Sequence, residues 1–125
     1  GIREHIDRIS SQQMVFFTRG DNLANLNNAM LYVLQNEHTN RIKVVTVVKN
    51  KSEVPAKLKQ DLTMLDEAYP DMDIEFVVLE DSFGPSLIKR LSKEWQIPAN
   101  LMFMGSPAGQ LRFDLAELGG VRLII

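Results

Sequence analysis

Two short segments of the chain bring together residue types suited to holding an anion. They are Thr18-Arg19-Gly20-Asp21 and Gly105-Ser106-Pro107-Ala108-Gly109. Glycine lets a ligand approach the backbone closely, and amides at the start of a helix point partial positive charge at a phosphate. Arg19 would add a full charge and Ser106 a hydroxyl. Thr18, Arg19, Gly20, Asp21, Gly105, Ser106 and Gly109 are therefore the candidate ligand-binding set. The same residues also have a plain structural use, since Gly20 and Gly105 turn the chain and Asp21 can cap a helix. Neither the Walker phosphate loop nor the Rossmann glycine fingerprint is present, and no cofactor is expected.

Other chemistries find less support. No Gly-x-Ser-x-Gly elbow occurs. His5 falls in the opening segment and His38 at an expected helix end, where an imidazolium suits the helix dipole better than base catalysis. The chain has no cysteine, which excludes disulfides, thiolate metal sites and thiol nucleophiles. Asp71, Asp73 and Glu75 alternate, so their carboxylates share one side of a strand and are of the type that holds a hard cation. Their spacing matches no calcium loop, and they read as a polar strand edge. No catalytic residue and no metal site are expected, and the chain is read as a non-enzyme.

The elements that would position these residues follow a clear rhythm. Residues 1–12, with Ile2, Ile6 and Ile9 at helical spacing, form a lead-in helix or linker, and residues 13–125 one domain. Gln13–Thr18, Arg41–Val48, Asp73–Leu79, Asn100–Met104 and Val121–Ile125 read as strands, rich in the β-branched and aromatic residues that suit a pleated surface. Between them run helical stripes: Leu23, Leu26, Met30, Val33 and Leu34; Leu58, Leu62, Leu65 and Ala68; Leu87, Ile88, Leu91 and Trp95. Ser52 with Pro55, and Gly84 with Pro85, mark helix starts, whereas Pro70 and Pro98 mark stops. A brief helical turn is expected over Phe113–Leu118. Trp95 and the methionines fall mostly on apolar stripes and strands and read as core.

Strands separated by helices imply parallel pairing, and near-continuous apolar strands imply a sheet covered on both faces. The expected fold class is α/β, a three-layer sandwich with a five-stranded, mainly parallel sheet in the order 3-2-1-4-5. Such a sheet binds ligands beyond the carboxyl ends of its strands where the order reverses. Here that point lies between strands one and four, where the two candidate segments would meet.

At 125 residues the chain fits one domain, and its 45% hydrophobic and 24% charged residues are those of a globular protein. No apolar run approaches the ~20 residues that cross a bilayer, and the amino terminus lacks a signal peptide's apolar region. Gly1, in place of methionine, points to a trimmed start or to a piece of a longer chain. Net charge is −2 but unevenly spread. Arg41, Lys43, Lys49, Lys51, Lys57 and Lys59 face only Glu53 in their stretch, and from Asp61 to Asp81 every charged residue is acidic. Two solvated faces account for this. A basic face at anionic lipid or complementary patches in a dimer are the alternatives. No aromatics interleave the basic residues, so nucleic acid is not an expected partner.

This rhythm resembles the universal-stress-protein fold. Nucleotide-binding members of that family carry Gly-x-x-Gly, nine residues, then Gly with a hydroxyl residue. Here three residues separate Gly105 from Gly109, and Gly120 follows Gly119. The chain also resembles the soluble carboxyl-terminal domain of bacterial amino acid permeases of the amino acid–polyamine–organocation superfamily. The stretches that carry this resemblance are Val15-Phe-Phe-Thr-Arg-Gly-Asp-Asn-Leu, Asn36-Glu-His-Thr-Asn-Arg-Ile-Lys, Leu65-Asp-Glu-Ala-Tyr-Pro, Ile74-Glu-Phe-Val-Val and Ala116-Glu-Leu-Gly-Gly-Val-Arg-Leu-Ile. It implies a regulatory or assembly domain on the cytoplasmic side of an inner (cell) membrane transporter, joined to transmembrane helices of the same polypeptide. A homodimer through the apolar last strand, and a small ligand or nucleotide in the crevice, are the further partners expected.

Overall fold

The computed structural model describes residues 13–18, 23–36, 39–105 and 119–124. Four parallel strands form the body of the sheet: β1 (Gln13–Thr18), β2 (Arg41–Val48), β3 (Asp73–Glu80) and β4 (Met102–Gly105). They lie in the order 3-2-1-4, with register Phe16↔Val44, Val44↔Phe76 and Phe16↔Phe103. A short strand, β5 (Arg122–Ile124), runs parallel to β4 at its outer side. The reversal of strand order between β1 and β4 is as the alternation of elements predicts.

Helices cover both faces. On one, α1 (Leu23–Asn36) and α2 (Ala56–Ala68) bury Leu26, Met30, Val33, Leu58, Leu62 and Leu65 against Met14, Phe16, Ile42, Val44 and Phe103. On the other, α3 (Pro85–Trp95) buries Leu87, Ile88 and Leu91 against Val15, Phe17, Val45, Met102 and Met104. Side chains that alternate along β1 thus feed two separate cores, the pattern that a period of two imposes.

Local chemistry sets the boundaries. The Asn50 side chain accepts a hydrogen bond from the Ser52 amide and starts a 3₁₀ turn over Lys51–Glu53 before α2 begins beyond Pro55. Pro85 occupies the first turn of α3, where its missing N–H costs nothing. Gln96 ends α3 in the left-handed region, φ 56°, a conformation that costs a residue other than glycine about 1–2 kcal/mol.

Three expectations need correction. Leu34 and Ala68 do not join the buried stripes; both are exposed. The position of Leu34, one turn beyond the inward Met30 yet rotated toward the helix flank, carries it off the core side. Strand four starts two residues late, because Ala99–Leu101 wind into a 3₁₀ turn after Pro98. Met64 is 55% exposed, unlike Met14, Met30, Met72, Met102 and Met104, which are buried. The lead-in over 1–12 and the turn expected over Phe113–Leu118 lie outside the described residues.

Candidate functional site

The carboxyl ends of the strands form a row. Thr18 pairs in register with Thr46, and Thr46 with Val78, while Gly105 pairs with Ile124. One residue back, Phe17 pairs with Met104, so Thr18 and Gly105 leave the sheet side by side. Of the candidate set these two are the described members. Arg19, Gly20, Asp21, Ser106 and Gly109 lie outside the described residues.

What is visible of this end is tightly packed. Thr18 and Thr46 are each 2% exposed, two hydroxyls sunk on the face that α1 and α2 cover. On the opposite face, the Phe17 ring meets Phe83 edge-on at 5.3 Å. Phe83 lies in the β3–α3 connection, and this contact packs that connection onto the end of β1.

Beside Phe83, the connection is held by charge. Arg90 of α3 reaches Asp81 at 2.8 Å and Glu94 at 3.7 Å. The backbone amide of Ser82 donates to Asp81 Oδ1. That amide and the Arg90 guanidinium favour the charged form and hold the Asp81 carboxyl below the ordinary aspartate value. The Asp81 amide in turn donates to the Val48 carbonyl, tying the end of β3 to the end of β2. The sequence alone does not mark Thr46, Asp81, Phe83 and Arg90 as belonging to this end of the sheet. Thr46 is hidden within a β-branched run, and the others become neighbours only once α3 folds back.

The acidic and basic stretches find each other across the sheet. Register places Arg41 opposite Asp73 and Lys43 opposite Glu75. The ion pairs follow: Arg41–Asp73 at 3.4 Å, Lys43–Glu75 at 2.7 Å and Lys51–Glu80 at 3.9 Å. Lys43 also lies 5.1 Å from the centre of the Trp95 ring, a cation–π arrangement. The Lys43 ammonium, donating to Glu75, lowers that carboxyl's affinity for a proton despite some desolvation. Asp73 and Glu75, two of the three alternating carboxylates, are thus neutralised by cations of β2. Among the described residues no group of three or more His, Cys, Asp or Glu is arranged to hold a metal ion.

At the far edge, Arg122 fixes the start of β5. Its Nε donates to the Asn100 carbonyl at 2.8 Å, its Nη1 donates to the Tyr32 hydroxyl, and its guanidinium stacks 4.3 Å from the centre of the Phe103 ring. Tyr32 of α1 meets the same ring edge-on at 5.2 Å. A separate depression of about 800 Å³ runs along the outer side of α3 between Lys89, Lys93, Pro98 and Gly119. Among the described residues no helix is long and apolar enough to cross a membrane. Compared with models of known families, with characterised proteins and with solved structures, the chain matches none.

Proposed function

We propose that this chain is a non-enzymatic regulatory or assembly domain of an amino acid permease-like transporter, placed on the cytoplasmic side of the membrane. The observation that carries the non-enzymatic part is the disposition of charge. Arg41, Lys43, Lys51 and Arg90 each turn to a carboxylate of the neighbouring strand or loop, where ion pairs hold surfaces together instead of converging on a reacting group. The transporter part rests on the sequence resemblance, and two of its stretches have structural work to do. Ile74–Val78 forms most of β3, and Arg122 locks β5 to β4 and α1. In such a protein the membrane helices would precede this domain in the same polypeptide, and the universal-stress-protein-like sheet would be its soluble platform.

The test is to read the gene upstream of the Gly1 codon. About ten or more apolar segments of ~20 residues would support the proposal, and an initiator codon adjacent to Gly1 would overturn it.

A second reading, a stand-alone nucleotide-binding module of the universal-stress-protein type, is favoured by one observation: Thr18 and Gly105 emerge side by side at the reversal of strand order. A ligand that binds only the folded chain raises its melting temperature. Millimolar ATP, ADP, AMP and cyclic dinucleotides, tried singly, should produce such a shift if this reading holds, and none if it does not.

A further inference from the structure

Helix α1 differs from the other two helices in one respect: it has no charged residue along its 14 positions, Leu-Ala-Asn-Leu-Asn-Asn-Ala-Met-Leu-Tyr-Val-Leu-Gln-Asn. The exposed sides of the other two are built from ions. On α2 these are Lys57, Lys59, Asp66 and Glu67, and on α3 they are Lys89, Arg90, Lys93 and Glu94. A solvated helix normally sets charge opposite its buried stripe, and charge is depleted at the centres of interfaces. On α1 the exposed side opposite Leu26, Met30 and Val33 consists of Ala24, Asn28, Leu31 and Gln35, flanked by Asn25 and Leu34. Leu31 and Leu34 are 37% and 44% exposed, and with Met64 they make up the exposed large hydrophobic residues found among the described ones.

We infer that this face of α1 is a self-association surface, on which a second copy of the chain packs its own α1 antiparallel about a two-fold axis. Three observations select that occupant. First, the spacing of 24, 28, 31 and 35 is four, three, four, the alternation of a helix–helix seam. It reads the same in both directions, so an antiparallel partner sets 24 against 35 and 28 against 31. Second, a two-fold brings like against like, so any isolated charge near the axis would meet its own sign. An amide avoids this, because Asn28, beside the axis, carries donors and an acceptor and can bond to its own copy across it. Third, a lipid surface would call for Lys or Arg flanking the apolar side chains, and α1 has neither.

A helix of 14 residues offers a seam about 21 Å long, which buries less than the ~800 Å² per partner of a stable complex. The dimer is therefore weak in dilute solution and populated where copies are crowded or tethered side by side. The surface is distinct from the apolar last strand, and it stands whether or not the chain belongs to a transporter.

Sedimentation velocity of the whole 125-residue chain from micromolar to millimolar concentration tests it. The expected result is a reversible monomer–dimer equilibrium that Asn28→Lys and Leu31→Glu each weaken about tenfold or more, a factor equal to ~1.4 kcal/mol. An equimolar mixture of the two variants should recover association, because the ammonium introduced at position 28 of one copy then meets the carboxylate introduced at position 31 of the other. Both substitutions lie on the exposed side, and that recovery itself shows the variants to be folded. A chain that stays monomeric at every concentration overturns the proposal. So does a dimer that ignores both charges and dissociates instead on Ile124→Pro, which would place contact at β5. If removing residues 1–12 is what first permits the dimer, the chain's own lead-in is the occupant, and the proposal falls.

Discussion

Helices α1 and α3 cover opposite faces of one sheet with inward stripes of the same kind, yet their outward sides have little in common. Leu26, Met30 and Val33 are as fully buried beneath α1 as Leu87, Ile88 and Leu91 are beneath α3. Outside, α3 carries Arg90 bridged to Asp81 and Glu94, whereas α1 shows amides and leucines. Folding needs only the inward stripe, which the sheet reads. Water and partners read the outward side, so a helix folded as well as its neighbour but dressed differently points to a different environment.

The largest expected effects should erase the contrast. Leu26→Ala in α1 and Leu91→Ala in α3 each remove a side chain no more than 1% exposed and should each cost about 2–5 kcal/mol of unfolding free energy in urea titrations. A marked inequality would mean that the two cores do not share the load of folding. Next in size is Tyr69→Phe. The Tyr69 hydroxyl donates to Asn27 on α1, and losing it should cost about 1 kcal/mol, seen as a lower urea midpoint at unchanged m-value.

The α3 side should respond to acid more than the α1 side. The Glu75 carboxyl is held below its ordinary value of 4.5, chiefly by the hydrogen bond from Lys43. A lowered folded-state value contributes stability that is present above 4.5 and is lost as pH falls through the folded value. Lys43→Met should therefore lower stability most at neutrality, by about 0–1 kcal/mol for a pair whose carboxylate is half exposed, and should flatten the fall in melting temperature in acid, where parent and variant converge. A melting profile parallel to the parent's at every pH would remove Lys43 as the cause. Smallest of all, Leu34→Gln should change the stability of the monomer by no more than about 0.5 kcal/mol, since the residue lies at the margin of the buried stripe and is 44% exposed. A larger loss in dilute solution would show that Leu34 is packed.

Much of this architecture was legible in the residues themselves. The run Ile42-Lys-Val-Val-Thr-Val-Val48 reads as a strand because β-branched side chains suit a pleat, and Pro85 and Pro98 punctuate the chain where the structure bends. Rotation about a helix is read less finely: Leu34 and Ala68 sit at the margins of their stripes, and apolar character alone put them inside. Register was the larger blind spot. The basic stretch from Arg41 and the acidic stretch from Asp61 looked like separate faces, because nothing local states that residue 41 will stand opposite 73. The same holds for Arg122, whose partners Asn100, Phe103 and Tyr32 come from three other elements. At the carboxyl end of the sheet, turn chemistry marks Thr18 and Gly105 as strand ends, whereas nothing local marks Thr46 and Phe83 as their neighbours.

The central place of β1 has a consequence for how the protein is made. Val15, Phe16 and Phe17 take one set of partners from β2 and the other from Met102, Phe103 and Met104, which leave the ribosome more than eighty residues later. At ~5–20 residues per second, a strand buried along Met14–Thr18 in the finished fold waits several seconds with one edge unpaired. Long-range parallel pairing of this kind is slow to form, and an open apolar edge is a template for the wrong strand. The nascent chain is therefore most vulnerable to aggregation in the interval between completing β3 and completing β4, and chaperone demand should be greatest there.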